Sequence, residues 1–169
     1  GNQAGDTDAV PHDIGTTARI ESASPVGGGR VMVQTRGERR FRIVTLHHDR
    51  PFLTADVEYP VDEATDVPPA LLEAVTTAFE QVQRFRQLVD GVYRRKVRIP
   101  ESPGALVDAV GAAAADVLPP RLLQPLLETF DMRRRLERAD ALLEPLIRGA
   151  HQQAQRAVSE RWGGVDRRN

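Results

Sequence analysis

The chain has 169 residues, the length of one domain or of one domain with an extension. Hydrophobic residues make up 40% and charged residues 28%, which excludes a collagen, a continuous coiled coil and a fully disordered chain. Lys+Arg 23 against Asp+Glu 24 gives a net charge of -1, so no global field draws nucleic acid or an anionic membrane and any such contact has to be a local patch.

Residues 1–13 are polar with no apolar period and read as a flexible lead-in. Ile14, Thr16, Ala18 and Ile20 then alternate with Gly15, Thr17, Arg19 and Glu21, which predicts a strand with one face buried and one wet. Pro25-Val26-Gly27-Gly28-Gly29 reads as a hairpin turn, because glycines supply positive φ. A second strand over residues 30–36 should therefore run back antiparallel, with Gly37-Glu38 breaking it. A third strand covers residues 39–46, where Phe41 and Ile43 alternate with Arg40, Arg42 and Val44. His47-His48-Asp49-Arg50-Pro51 leads to a fourth over residues 52–59, with Leu53, Ala55, Val57 and Tyr59 on one face. Residues 14–60 are thus a β subdomain of four strands in meander order, marginal unless something covers it.

Residues 61–67 read as an acidic linker and residues 68–148 as a helical subdomain. Pro68-Pro69 opens a helix whose stripe runs from Leu71 through Val75, Phe79, Val82 and Phe85 to Val92. Ser102 caps and Pro103 opens a second, alanine-rich helix that ends at Pro119-Pro120. A short third helix holds Leu122, Leu123, Leu126 and Leu127, and Asp131 caps a fourth with Met132, Leu136, Ala139, Leu143, Leu146 and Ile147 in its stripe. Pro145 predicts a kink or a break there. Residues 149–169 form a tail, compatible with a helix from His151 but with little to bury, fraying from Gly163.

Several of these segments, in this order, resemble the Lon-type substrate-binding domain, the Lon N-terminal domain. Residues 13–20 are similar to the family's x-G-T-x-A-x-I strand, and residues 39–44 to its R-R-F-R-I strand. Residues 51–58 resemble P-Y-L-x-A-x-V-E, and Asp131 with Arg135-Leu136-Glu137-Arg138 resembles the D-x-x-x-R-L-E-R helix start. The resemblance spans residues 13–147 and implies an α+β fold: a PUA-like antiparallel β half, a meander or pseudo-barrel, followed by a C-terminal helical bundle. Family members open with an L-P-L-F-P-L strand, a P-G turn and an L-x-I-F-E-x-R-Y segment, and these do not precede the Gly-Thr strand here. The β half is accordingly expected to be a partial barrel with an open edge that invites pairing with another chain or a second copy. The chain starts at Gly1 rather than methionine, which is expected to reflect processing, cloning or a missing segment.

Nothing in the residues points to an enzyme. Cys 0 removes thiolate metal sites, disulfides and cysteine nucleophiles. Gly27-Gly28-Gly29-Arg30 lacks the lysine and hydroxyl of a phosphate loop and reads as a turn. Ser22, Ser24, Ser102 and Ser159 stand in no G-x-S-x-G elbow. His47-His48 reads as a solvated loop, His12 and His151 as lone histidines, and Asp62-Glu63 as solvated linker charge. Arg133-Arg134-Arg135 with Arg138, and Arg94-Arg95-Lys96-Arg98, read as solvated faces with local ion pairs. Phe41, Phe52 and Tyr59 offer a peptide surface but at strand alternation are expected in the core. No cofactor, metal or catalytic residue is assigned, and the substrate-binding residues are unknown.

The resemblance implies a non-catalytic binding module for unfolded or apolar protein segments, acting with a protease or ATPase. An extended client would add to a sheet edge or lie between the two halves. The alternative is a nucleic-acid-binding PUA-like domain that uses the arginine clusters. The apolar run of residues 109–115 is too short for a membrane span, and the start lacks the pattern of a signal peptide, so a cytoplasmic site is expected.

Overall fold

The computed structural model describes residues 10–92 and 96–162, and the chain divides into two compact units, Gly1–Val61 and Asp62–Asn169. The first is a three-stranded antiparallel sheet in the order β1-β2-β3, with β1 (Ile14–Gly27), β2 (Arg30–His47) and β3 (Thr54–Glu58). Meander order follows from the short connections between strands. Gly27, Gly28 and Gly29 take φ of 82°, 62° and 72°, values that a side chain would strain, and so they turn β1 back onto β2.

Among the described residues there are three strands, not the four expected, because Gly37-Glu38 does not break β2. The ladder shifts register there, between Thr16 and Ala18. Thr17 bridges the irregularity: its Oγ1 donates to Arg39 O and accepts from Arg39 N, both at 3.2 Å. One hydroxyl thereby replaces the ladder bonds that the shift removes. The Arg19–Glu38 pair, Nε to Oε1 2.6 Å, adds a second cross-strand tie. Further along, Phe41 lies over Gly15, where an added Cβ would come 2.6 Å from the tip of the ring, so any larger residue here would have to displace Phe41. β3 starts at Thr54, which pairs with His47, and the connection between them takes up Phe52 and Leu53.

The second unit holds α1 (Pro69–Asp90), α2 (Pro103–Ala114), α3 (Pro120–Glu128) and α4 (Met132–Trp162). Its boundaries follow local chemistry. Pro69, Pro103 and Pro120 each occupy a first turn, where the missing N–H costs nothing. Ser102 Oγ accepts from Ala105 N at 3.3 Å, and Asp131 Oδ1 accepts from Arg134 N at 2.7 Å. Gly91, φ 72°, ends α1 with Val92 N donating to Gln87 O at 2.9 Å. Val92 therefore lies past the helix rather than in its stripe. The core draws Val75, Phe79 and Val82 from α1, Leu106, Val107 and Val110 from α2, Leu126 from α3, and Leu136, Leu143 and Leu146 from α4. Helix α4 is the element that α1, α2 and α3 all pack against.

Two expectations change in this unit. Helix α4 is one element through Pro145 to Trp162, without the break that Pro145 allowed for, and the tail, compatible with a helix in sequence, is helical as far as 162 but buries more than expected. Its stripe continues, with Ala150 and Ala154 buried, and that packing outweighs a proline cost of about 3 kcal/mol. The acidic segment is not a free linker either. Glu63 N donates to Phe130 O at 2.9 Å, Glu63 bridges in parallel to Asp131, and Thr65 Oγ1 accepts from Arg133 N at 3.1 Å. The fraying expected from Gly163, and most of the lead-in, fall outside the described residues.

Candidate functional site

In the β unit the register sorts side chains between two faces. Ile20 pairs with Thr35, Ala23 with Val33 and Pro25 with Val31, so these six share one face of the β1–β2 ribbon. Arg19 with Arg36, Ser22 with Gln34 and Ser24 with Met32 share the other. The first face is apolar yet open to solvent: Ile20 is 64%, Val31 56% and Val33 46% exposed. Sequence periodicity predicts such a stripe to be buried. Among the described residues Ile14 is the only fully buried apolar side chain of this unit.

The ribbon also leaves backbone edges. Among the described residues, β1 has one neighbouring strand, and β3 pairs with β2 only over residues 42–47. The Arg30 to Arg39 stretch of β2 therefore has β1 on one side and no strand on the other, a pattern that accepts an added strand. The aromatic residues expected in the core lie outside it. Phe52 is exposed, Tyr59 is half-exposed beneath the Arg39 guanidinium at 4.2 Å, and Phe41 is partly buried over Gly15.

The polar candidates resolve differently. His47 belongs to β2 rather than a loop, and its Nε2 lies 2.9 Å from Asp56 Oδ2; His48 follows and is exposed. His12 is exposed, and His151 packs against Phe85 with ring centroids 5.0 Å apart. No group of three or more His, Asp or Glu among the described residues could hold a metal. No described helix is long and apolar enough to cross a membrane.

Arg135 departs most from expectation. Rather than a solvated face, it has a side chain 1% exposed at the start of α4. Its Nε donates to Leu126 O at 2.9 Å, Nη1 to Asp62 Oδ2 at 3.2 Å and Nη2 to Asp108 Oδ1 at 2.5 Å. The planar guanidinium serves three acceptors at once, joining the acidic segment, α2 and the end of α3. Asp62 is thus a structural partner, not solvated charge. Arg133 pairs with Glu137, while Arg134 and Arg138 are exposed; Arg94 and Arg95 lie outside the described residues. Elsewhere Arg36 faces Glu21 and Arg42 faces Glu58, so each of these cations has an acidic partner beside it. A shallow groove of about 520 Å³ between α1 and α4 is lined by Phe85, Leu88, His151, Ala154 and Val158.

Residues 2–144 match the family described as the ATP-dependent protease La (LON) substrate-binding domain. The chain belongs to this family. It is 30% identical over 137 residues to a Lon protease of Solibacter usitatus, covering 79% of this chain and 16% of that protein. A Lon protease of Methylocella silvestris is 31% identical over 151 residues, 86% of this chain and 18% of that protein. The chain thus spans less than a fifth of these relatives. The N-terminal domain of Mycobacterium avium complex Lon protease matches with a TM-score of 0.59 and 29% identity, over 81% of this chain and 72% of that one. A Lon N-terminal domain protein from Xanthomonas campestris matches with a TM-score of 0.51 and 26% identity, over 79% and 70%. The LON substrate-binding domain is therefore seen here as an α+β fold, a three-stranded antiparallel sheet and four helices, in the bacterial Lon family.

Proposed function

We propose that this chain is a non-catalytic module that binds unfolded or apolar protein segments for a Lon-type ATP-dependent protease in the cytoplasm. One observation supports the reading above all: the apolar face of the β1–β2 ribbon, Ile20, Ala23, Pro25, Val31 and Val33, stands open beside backbone edges. Contiguous apolar surface of this kind marks an interaction site. An extended client would hydrogen-bond along the edge of β2 and lay alternate side chains on the apolar face. The chemistry is that of recognition alone, since backbone pairing is indifferent to sequence and the apolar face selects for hydrophobic clients.

Fluorescence anisotropy with a permanently unfolded, carboxymethylated protein tests this. Saturable binding should weaken by at least about tenfold when Ile20→Lys and Val33→Lys are combined, a change of about 1.4 kcal/mol. Apolar contact also predicts little dependence on salt, whereas binding through arginines would fall steeply. Unchanged affinity in the folded double variant would move the client site away from this face.

A further inference from the structure

We propose that residues 62–67 are a clasp that belongs to the helical unit and sets the length of the tether joining the two units. On the β side the chain is held as far as Tyr59, since β3 ends at Glu58 and Arg39 sits 4.2 Å over the Tyr59 ring. On the helical side it is held from Asp62, which accepts from Arg135 Nη1 at 3.2 Å. The Glu63 N to Phe130 O bond, 2.9 Å, and the Arg133 N to Thr65 Oγ1 bond, 3.1 Å, continue the attachment. Pro60 and Val61 remain between these anchors. Two residues reach at most about 7 Å, and the proline ring fixes one of the φ angles.

The clasp is built so that the segment leaves and its receptor stays. Arg135 keeps Leu126 O and Asp108 Oδ1 when Asp62 departs, so it is not left buried without a partner. Asp62 in turn has a side chain 27% exposed and regains water as it leaves. Val67 packs against the helical core and Pro68 caps α1, so release would lengthen the tether from residues 60–61 to residues 60–66, a reach of about 24 Å when extended. The connection between the units is thereby adjustable without unfolding either.

Limited proteolysis of the full chain with a glutamate-specific protease reads the clasp at Glu63, with cleavage after Glu80 in α1, where Gln81 follows, as an internal reference. Asp62→Ala should raise the rate of cutting after Glu63 by about tenfold, because cleavage tracks the open population, and leave Glu80 unchanged. Thr65→Val, which removes only the acceptor for Arg133 N, should raise it less. Rates at Glu63 within about twofold of the unsubstituted chain in both variants would overturn the proposal. So would a rise at Glu63 and Glu80 together, which would mean that the helical unit itself had opened.

Discussion

Arg135 shows how a single side chain can be misread from its neighbours. It stands in a run of three arginines on an amphipathic helix, and such runs ordinarily face water. Here Arg133 does so and pairs with Glu137 one turn on, while Arg135 turns inward to three acceptors. Removing one member of a buried ion pair costs about 3–5 kcal/mol when the abandoned charge stays buried. The partners here are Asp62 and Asp108, 27% and 62% exposed, which can rehydrate, so Arg135→Met should cost less, roughly 2–3 kcal/mol. Urea unfolding followed by circular dichroism checks it, and a loss below about 1 kcal/mol would mean that the guanidinium contributes little. Arg135→Lys should recover little, because one ammonium cannot reach three separated acceptors.

At the scale of elements, helix α4 owes its length to what lies beside it. Proline 145 argues for a stop, but α1 offers a surface along which Ala150 and Ala154 bury. The far end is tied down as well: Arg161 Nη1 donates to Leu88 O at 2.9 Å, and Nη2 donates to Val89 O. A cation thus meets carbonyls of the last turn of α1, Leu88 O also accepting from Gly91 N at 3.3 Å, where the helix dipole favours positive charge. Arg161→Ala should therefore loosen the last turns of α4, costing about 1 kcal/mol locally and raising amide exchange there roughly fivefold. Exchange unchanged at residues 155–162 would show that packing alone holds the helix. Hairpin β1–β2 makes the complementary point, since its glycine turn is legible in sequence while the Thr17 bridge that keeps β2 continuous is not.

The whole molecule joins two units of unequal cohesion. The helical unit has an extended buried cluster drawn from four helices, whereas the β unit buries Ile14 alone among its described apolar residues. A sheet with so little core is marginal, so the units should not melt together. Amide exchange should be faster in β1, β2 and β3 than in α1 and α4 by at least about a hundredfold, a gap of roughly 3 kcal/mol. Equal protection in the two units, or one coincident unfolding transition by probes in each, would contradict this. Client binding to the open ribbon should narrow the gap, since a ligand bound only to the folded state stabilises it.

Local physical chemistry made much of this protein readable in advance. Helix starts at Pro69, Pro103 and Pro120, caps at Ser102 and Asp131, the glycine turn and the ordered family segments each depend on residues close together in sequence. Tertiary structure decided the rest. A period of two says that Ile20, Val31 and Val33 share a face, but not whether anything covers it. Likewise, the acidic composition of residues 61–67 says that the segment is polar, while only the approach of α4, 73 positions away from Asp62 along the chain, turns it into a partner for Arg135. The difference is one of range: conformational preference is set by neighbours in sequence, whereas burial and charge pairing are set by whichever distant segments the fold brings alongside.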